Sequence, residues 1–256
     1  MKKLAILISG GGTTAEAVIK AIHKNELKGL VPIVISSNKN AKGNERVKKL
    51  GVKLYIIDKD DYSDRKKFND KLLRLLKRLH IDIISLQGWL LLIPKDIIQH
   101  WEGNIINQHP GPLDPGKPDF GGKGMSTPYR TNSARIAYCW ATGEDFWTES
   151  DTHFVTENFD EGAVIRTEKM RIPAKKQRVT IQSLRKHPDE LIAVTHEVQK
   201  RFYPVEHHNV IKTLQMFANG TAKKYKRKKP LIPKDNYKIL EDAKKLATEL
   251  FPNYNL

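Results

Sequence analysis

The sequence has a single cysteine, Cys139, in 256 residues. That excludes an internal disulfide framework and a multi-cysteine zinc site, and it fits a reducing compartment, so the expected location is the cytoplasm. Long apolar runs are also missing. The longest candidate, WLLLIP at 89–94, falls far short of the roughly 20 residues that cross a bilayer, so no membrane partner is expected. The opening MKKLAILISGGG is basic and then apolar, but its apolar run is brief and ends in glycines, which suits a first strand better than a secretory signal. Acidic residues are scarce, with 29 Asp and Glu against 45 Lys and Arg and a formal net charge of +16. Anionic partners follow from that charge: phosphorylated metabolites, polycarboxylates or RNA. The densest basic run, KKYKRKK at 223–229, lacks the several interleaved aromatics of a base-stacking platform and reads as solvated surface, so nucleic acid is not the expected partner.

A chain of this length can bury one sizeable core with a small appendage. Through the first hundred residues, short apolar runs alternate with amphipathic ones, the pattern of βαβ units and a parallel sheet. Strands are expected at Leu4–Ile8, Val31–Ser36, VKLYIID, IDIISLQGW and GNIINQH, with helices at Thr14–His23, Asn44–Leu50, Asp64–Leu79 and PKDIIQHW. From Pro110 to Gly124 the chain is rich in Pro and Gly, a composition that marks a functional or irregular loop. SDTHFVTENFDEGAVIRTEKMRIP alternates like two strands joined by an acidic loop, and helices follow, interrupted near His187-Pro188. After Gly220 the composition shifts to Lys, Pro and Asp, and one last helix, ILEDAKKLATEL, is expected. Residues 1–220 are therefore read as the main domain and 221–256 as a basic extension, whose Leu240, Leu246 and Leu250 would face the sheet flank. The fold class is α/β, a doubly wound, Rossmann-like, mostly parallel sheet with flanking helices.

Three stretches carry chemistry. LISGGGTTAEA is a strand, three glycines and a helix start; the glycines let backbone N–H groups approach an anion, and Thr13 and Thr14 add hydroxyls. A phosphate site and a plain strand-to-helix turn both fit. The dinucleotide reading is weakened because the second strand ends in Ser36-Ser37-Asn38 with no acid, and a Walker loop is excluded by the missing Gly-Lys-Ser/Thr. In GNIINQHPGPL, Asn107 and His109 stand two apart on a strand and so share a face, while Pro110 and Pro112 stop the ladder. An amide beside an imidazole suits catalysis; a strand end with a satisfied histidine and a turn-capping asparagine is the other reading. In THFVTENFDEG, Asp160 could return toward that pair, or serve only its own turn.

Taken together, LISGGGTTAEA, ISSNKNAKGNERVKKLGV, GWLLLIPKDII…GNIINQHPGPL and THFVTENFDEGAVI resemble, in order and separation, the phosphoribosylglycinamide formyltransferase family over about residues 1 to 220. The resemblance implies the formyltransferase fold and a folate-dependent enzyme of purine synthesis. It implies that Asn107, His109 and Asp160 are catalytic and that Gly12, Thr13 and Thr14 hold a substrate phosphate. Trp89, Leu90, Leu91, Leu92, Val155, Thr156 and Asn158 would line the folate pocket. The co-substrate would be 10-formyltetrahydrofolate and the acceptor glycinamide ribonucleotide, with no metal, in a monomer or homodimer. Lys123 in GGKG and Gln199 in QKRFYP are further candidates for substrate binding.

The pattern has departures. Gln108 and Gly111 replace an aliphatic residue and a serine, Leu91 stands where some members carry Arg, and Gln199 stands where a Glu often touches the ribose. The stretch STPYRTNSARIAYCWATGEDFWTES is longer than the family's usual helix. Rival readings are methionyl-tRNA formyltransferase, formyltetrahydrofolate deformylase and a non-catalytic nucleic-acid-binding relative. The first two are disfavoured by the absence of a C-terminal β-rich domain and of an extra N-terminal domain, and the third by retention of Asn107, His109 and Asp160 together.

Overall fold

The computed structural model describes residues 1–125 and 127–252. Among them the strands are β1 Lys2–Ile8, β2 Leu30–Ser36, β3 Lys53–Ile56, β4 Ile83–Leu86, β5 Ile105–His109, β6 Trp147–Phe154 and β7 Val164–Arg171. The helices are α1 Thr13–His23, α2 Lys42–Lys49, α3 Arg65–Arg78, α4 Lys95–His100, α5 Pro128–Thr142, α6 Ile181–Lys186, α7 Asp189–Ala218 and α8 Tyr237–Leu250. They form a seven-stranded sheet in the order β3-β2-β1-β4-β5-β6-β7. Strands β1 to β5 are parallel, and β6 and β7 run antiparallel beside β5.

The apolar runs arise because both faces of the central strands are covered. In β1, Leu4, Ile6 and Ile8 pack against α1 and α7, whereas Ala5 and Leu7 pack on the opposite side with Phe68, Leu72, Leu75 and Leu76 of α3 and Ile97 of α4. The chain builds outward from β1 through β2 to β3, then restarts at β4 on the other flank of β1. That reversal opens a crevice above the carboxyl ends of β1 and β4, where open α/β sheets place ligands. The glycine loop leaves β1 at this edge, and Asn107 and His109 close β5 one strand further along.

The long segment after the Pro/Gly-rich loop folds as α5, which is buried nearly all round. Its polar side chains are therefore internal: Arg135, 1% exposed, bonds the Trp147 and Asp145 carbonyls and stacks 4.4 Å from the Trp147 ring. The same burial pushes the Cys139 thiol up to about 11. The outer cover of α5 is α8, whose Leu240, Ala243, Leu246 and Ala247 join Ile232 in the α5 cluster, with Leu250 at its margin. Residues 221–252 thus share a core with the main body, and residues 253–256 of the extension lie outside the described residues.

Because Leu246 is fully buried in that cluster, Leu246→Ala is expected to cost about 2–5 kcal/mol. Urea unfolding of the full chain measures this, and a loss under about 1 kcal/mol would mean that α8 does not belong to the core.

Candidate active site

The glycine loop is shaped by one close approach. Gly12 has φ 68° and precedes α1, and a Cβ placed on it would lie 2.7 Å from the Gly43 Cα of α2. Both demands select glycine. The Gly43 N–H donates to the Gly10 carbonyl at 3.0 Å, so α2 supports the loop from outside. Thr13 and Thr14 then open α1, where backbone N–H groups and the helix dipole favour an anion. The loop is also tied to the segment after β4, since the Leu90 N–H donates to Ser9 Oγ at 3.1 Å.

Strand parity decides which side chains meet at the end of β5. Ile106 and Gln108 face α7, whereas Ile105, Asn107 and His109 face the α3 side. On the antiparallel β6, His153 lies opposite Asn107 and Asp151 opposite His109. In the β6–β7 ladder the register shifts here, Thr152 pairing with Arg166 and His153 with Val164, so the extra residue, Ile165, lies on β7 while β6 stays in regular register with β5. The turn between β6 and β7 then returns Asp160 to the same place. Asp160 adopts φ 58°, the left-handed region. Gly162 must be glycine, because a Cβ there would stand 1.6 Å from the Phe154 carbonyl oxygen.

Four groups converge on the Asp160 carboxylate. Its Oδ2 accepts from the Gly122 N–H at 2.9 Å and lies 3.7 Å from His109 Nε2. Its Oδ1 is 3.5 Å from Asn107 Nδ2 and 3.6 Å from His153 Nε2. Burial alone would raise this carboxyl, but the His109 charge, the bond and charge of His153, and the Gly122 amide outweigh it and hold Asp160 well below the usual carboxylate range. His109 Nδ1 sits 3.0 Å from the Gly111 carbonyl, which can only accept, so Nδ1 carries a hydrogen and Nε2 is the variable atom. That Nε2 is buried and has no hydrogen-bond partner among the described residues. Asn107 Nδ2 also contacts His153 Nε2 at 3.2 Å, while His153 Nδ1 bonds the Phe154 carbonyl.

A cavity of about 40 Å³ opens onto this cluster, lined by Asn107, His153 and Asp160 together with Trp89, Leu91, Leu92, Val155, Thr156 and Asn158. Leu90 is not among its lining residues. The volume suits little more than a water, so a bicyclic ring enters only if the walls move apart; Leu92 and Phe159, 44% and 42% exposed on loops, are placed to do so. Asp160 also lines a second cavity, of about 390 Å³, between Pro115–Gly122 and Phe159. Lys123 is exposed beside it.

Gln199 lies elsewhere. It is fully buried, accepting from Asn132 at 2.7 Å and reaching Glu206 at 3.4 Å, and Glu206 in turn accepts from Gln108 at 3.0 Å. This polar layer lies behind β5, on the face opposite Asn107 and His109. Burial pushes the Glu206 carboxyl up to about 7, against the hydrogen bonds from Gln108 and Gln199. Sequence reasoning did not count His153 or the Gly122 amide as site groups. The antiparallel pairing of β6 on β5 would have revealed His153; no local pattern signals Gly122.

The formyl transferase sequence family matches residues 2–195. The trifunctional purine biosynthetic protein adenosine-3 of Gallus gallus is 29% identical over 173 residues, covering 68% of this chain and 16% of that protein. The chain thus spans only a small part of that relative's length. Phosphoribosylglycinamide formyltransferase of Haemophilus influenzae is 29% identical over 172 residues, 67% of this chain and 74% of the relative. Among solved structures, glycinamide ribonucleotide transformylase 1 from Geobacillus kaustophilus superposes with a TM-score of 0.66 at 27% identity, covering 85% of this chain and 99% of that one.

The polar layer carries a pH signature. A buried carboxyl raised to about 7 binds more protons folded than unfolded between about pH 4 and 7, so stability falls as pH rises through that window. Unfolding free energy measured from pH 5 to 8 is expected to decline by up to about 3 kcal/mol through this group, and Glu206→Gln to flatten the decline. Equal slopes in the two proteins would show that Glu206 titrates normally.

Proposed function

The chain belongs to the formyl transferase family, and on that premise we propose that it transfers the formyl group of 10-formyltetrahydrofolate to the amine of glycinamide ribonucleotide in purine synthesis. The observation that carries the reading is the buried, unpartnered His109 Nε2 held 3.7 Å from an ionised Asp160 carboxylate beside Asn107. The name of the Haemophilus influenzae relative supports the acceptor.

In this reading the amine nitrogen attacks the formyl carbon, and the carbonyl electron pair becomes an oxyanion. A protonated His109 donates to it through Nε2, and Asn107 donates through Nδ2, whose 3.5 Å contact with Asp160 is long enough to be exchanged for the oxyanion. Asp160 Oδ2, 3.7 Å from His109 Nε2, places a negative charge opposite the donating ring. Asp160 also takes the proton that the attacking amine loses, directly or through one water. Collapse of the intermediate breaks the bond between the formyl carbon and the folate nitrogen, and that nitrogen leaves with the proton that Asp160 took from the amine, so no net proton is consumed. The ribonucleotide phosphate sits on Gly12, Thr13 and Thr14, with Lys123 attracting it, and the pterin occupies the cavity of Trp89, Leu91, Leu92, Val155, Thr156 and Asn158. Each step uses protein groups and substrate only. The buried Gln199 supports the strand from behind in this scheme and does not meet the ribose.

The test is loss of the formyl group from 10-formyltetrahydrofolate, followed by absorbance with glycinamide ribonucleotide, with buffer alone and with methionyl-tRNA. Turnover is expected only with the ribonucleotide, and Asn107→Ala should lower kcat by about 10²–10³. Turnover with water or tRNA would move the protein to a sister reaction, and none with any acceptor would overturn the reading.

A further inference from the structure

The matched family region ends at residue 195, yet the segment beyond residue 220 is bonded repeatedly to the loop that follows the candidate catalytic strand. The Arg227 Nε–H donates to the Leu113 carbonyl at 2.7 Å, and its guanidinium pairs with Glu149 and Asp151. The Leu231 N–H donates to Asp114 Oδ2 at 2.9 Å. Arg130 binds the Gly124 carbonyl and, at 2.9 and 2.7 Å, the Phe251 and Pro252 carbonyls. One of these tethers reaches closest to the chemistry. Lys244, on α8, donates from Nζ to the Gly121 carbonyl at 2.7 Å and to the Asp119 carbonyl at 3.1 Å.

The next amide along, Gly122 N–H, is the one that donates to Asp160 Oδ2 at 2.9 Å. The two loops also press together, since a Cβ on Gly121 would meet Asp160 Cβ at 2.9 Å and Leu113 Cδ2 at 2.6 Å. Asp119 braces the same turn, its carboxylate accepting from the Asp114 and Gly121 amides at 2.8 Å each. A chain of short contacts thus runs from the ammonium of Lys244 through the Gly121-Gly122 peptide to the carboxylate that lies between His109 and His153. We propose that Lys244 is a positioning residue for Asp160, so that the segment after residue 220 is a structural part of the site rather than an appendage.

The energetics suit this role. Lys244 is partly buried, which lowers its affinity for a proton, while Asp119, Asp160 and Glu241 act in the opposite sense and favour the charged form. Cationic donors bond carbonyls more strongly than neutral ones do, and two carbonyls of one turn fix its orientation. Without that anchor the glycines of the loop, Gly122 and Gly124 at φ 94° and 88°, leave the peptide free to rotate, and Asp160 would lose its only backbone donor among the described residues.

The role rests on the reading of Asp160 as the carboxylate that acts beside His109, and two measurements separate the failures. The first is kcat and KM of the full chain for both substrates. Lys244→Met is expected to lower kcat at least tenfold with KM changed less than twofold, Lys244→Arg to recover most of the loss, and Lys245→Met, on the exposed side of α8, to match the native protein. The second needs no turnover: the imidazole titrations of His109 and His153 followed by NMR. Removing a cation raises a nearby imidazole pKa by Coulomb's law alone, whereas withdrawal of Asp160 lowers it. Lys244→Met is expected to lower the His109 titration, and Lys244→Arg to restore it. A raised or unchanged titration, or a kcat within twofold of native, overturns the positioning role. A lowered titration in a protein with no turnover on any acceptor upholds the link and overturns only the proposed reaction.

Discussion

The site depends on keeping one carboxylate charged in a place that disfavours charge. Asp160 is largely removed from water, so its ionisation has to be supported by fixed partners, and two imidazoles and a backbone amide provide them. It also holds φ 58°, a conformation costing of order 1 kcal/mol for a residue with a side chain. Both costs are met by neighbours that have no freedom to leave: a glycine at 162 that admits the Phe154 carbonyl, a glycine at 121 that admits the Asp160 Cβ, and a β6 register that sets His153 opposite Asn107. The sheet, the two loops and the outer helix are arranged around that requirement.

The two faces of β5 solve different problems with the same strand. Asn107 lines the small cavity and His109 faces Asp160 beside it, whereas Gln108 looks the other way into a closed hydrogen-bonded layer with Glu206, Gln199 and Asn132. Polar residues in that layer are matched to one another more than to solvent, so they fix the angle between α7 and the strand more specifically than aliphatic packing would. Gln199 and Gln108, two departures from the family pattern, are therefore linked through one carboxyl group.

Much of the inner sheet was legible because a strand buried on both faces reads as a short apolar run, and because residues two apart on a strand must share a side. That reasoning set Asn107 and His109 together, and the glycine loop at the edge where β1 ends. It did not reach the partners supplied by β6, since antiparallel pairing at the sheet flank leaves no trace in local periodicity. The resemblance alone makes Gln199 a candidate for substrate binding, since a Glu often touches the ribose at that position; in the structure it is fully buried and bonded to Asn132 of α5 and Glu206 of α7. Lys244 carried no signal at all: of the three lysines of α8, Lys238, Lys244 and Lys245, only tertiary packing distinguishes the one that turns inward.

The tethers of the Pro/Gly-rich loop join residues far apart in sequence, with separations of 114 for Arg227 and Leu113, 121 for Arg130 and Phe251, and 123 for Lys244 and Gly121. During synthesis, at about 5–20 residues per second, the loop therefore emerges roughly 6–25 s before its anchors exist. In that interval the strands β1 to β5 are already synthesised, while the loop lacks its bonds to Arg227 and Lys244. The order of synthesis thus separates the strands of the parallel sheet, made early, from the anchors of the loop beside the candidate site, made last.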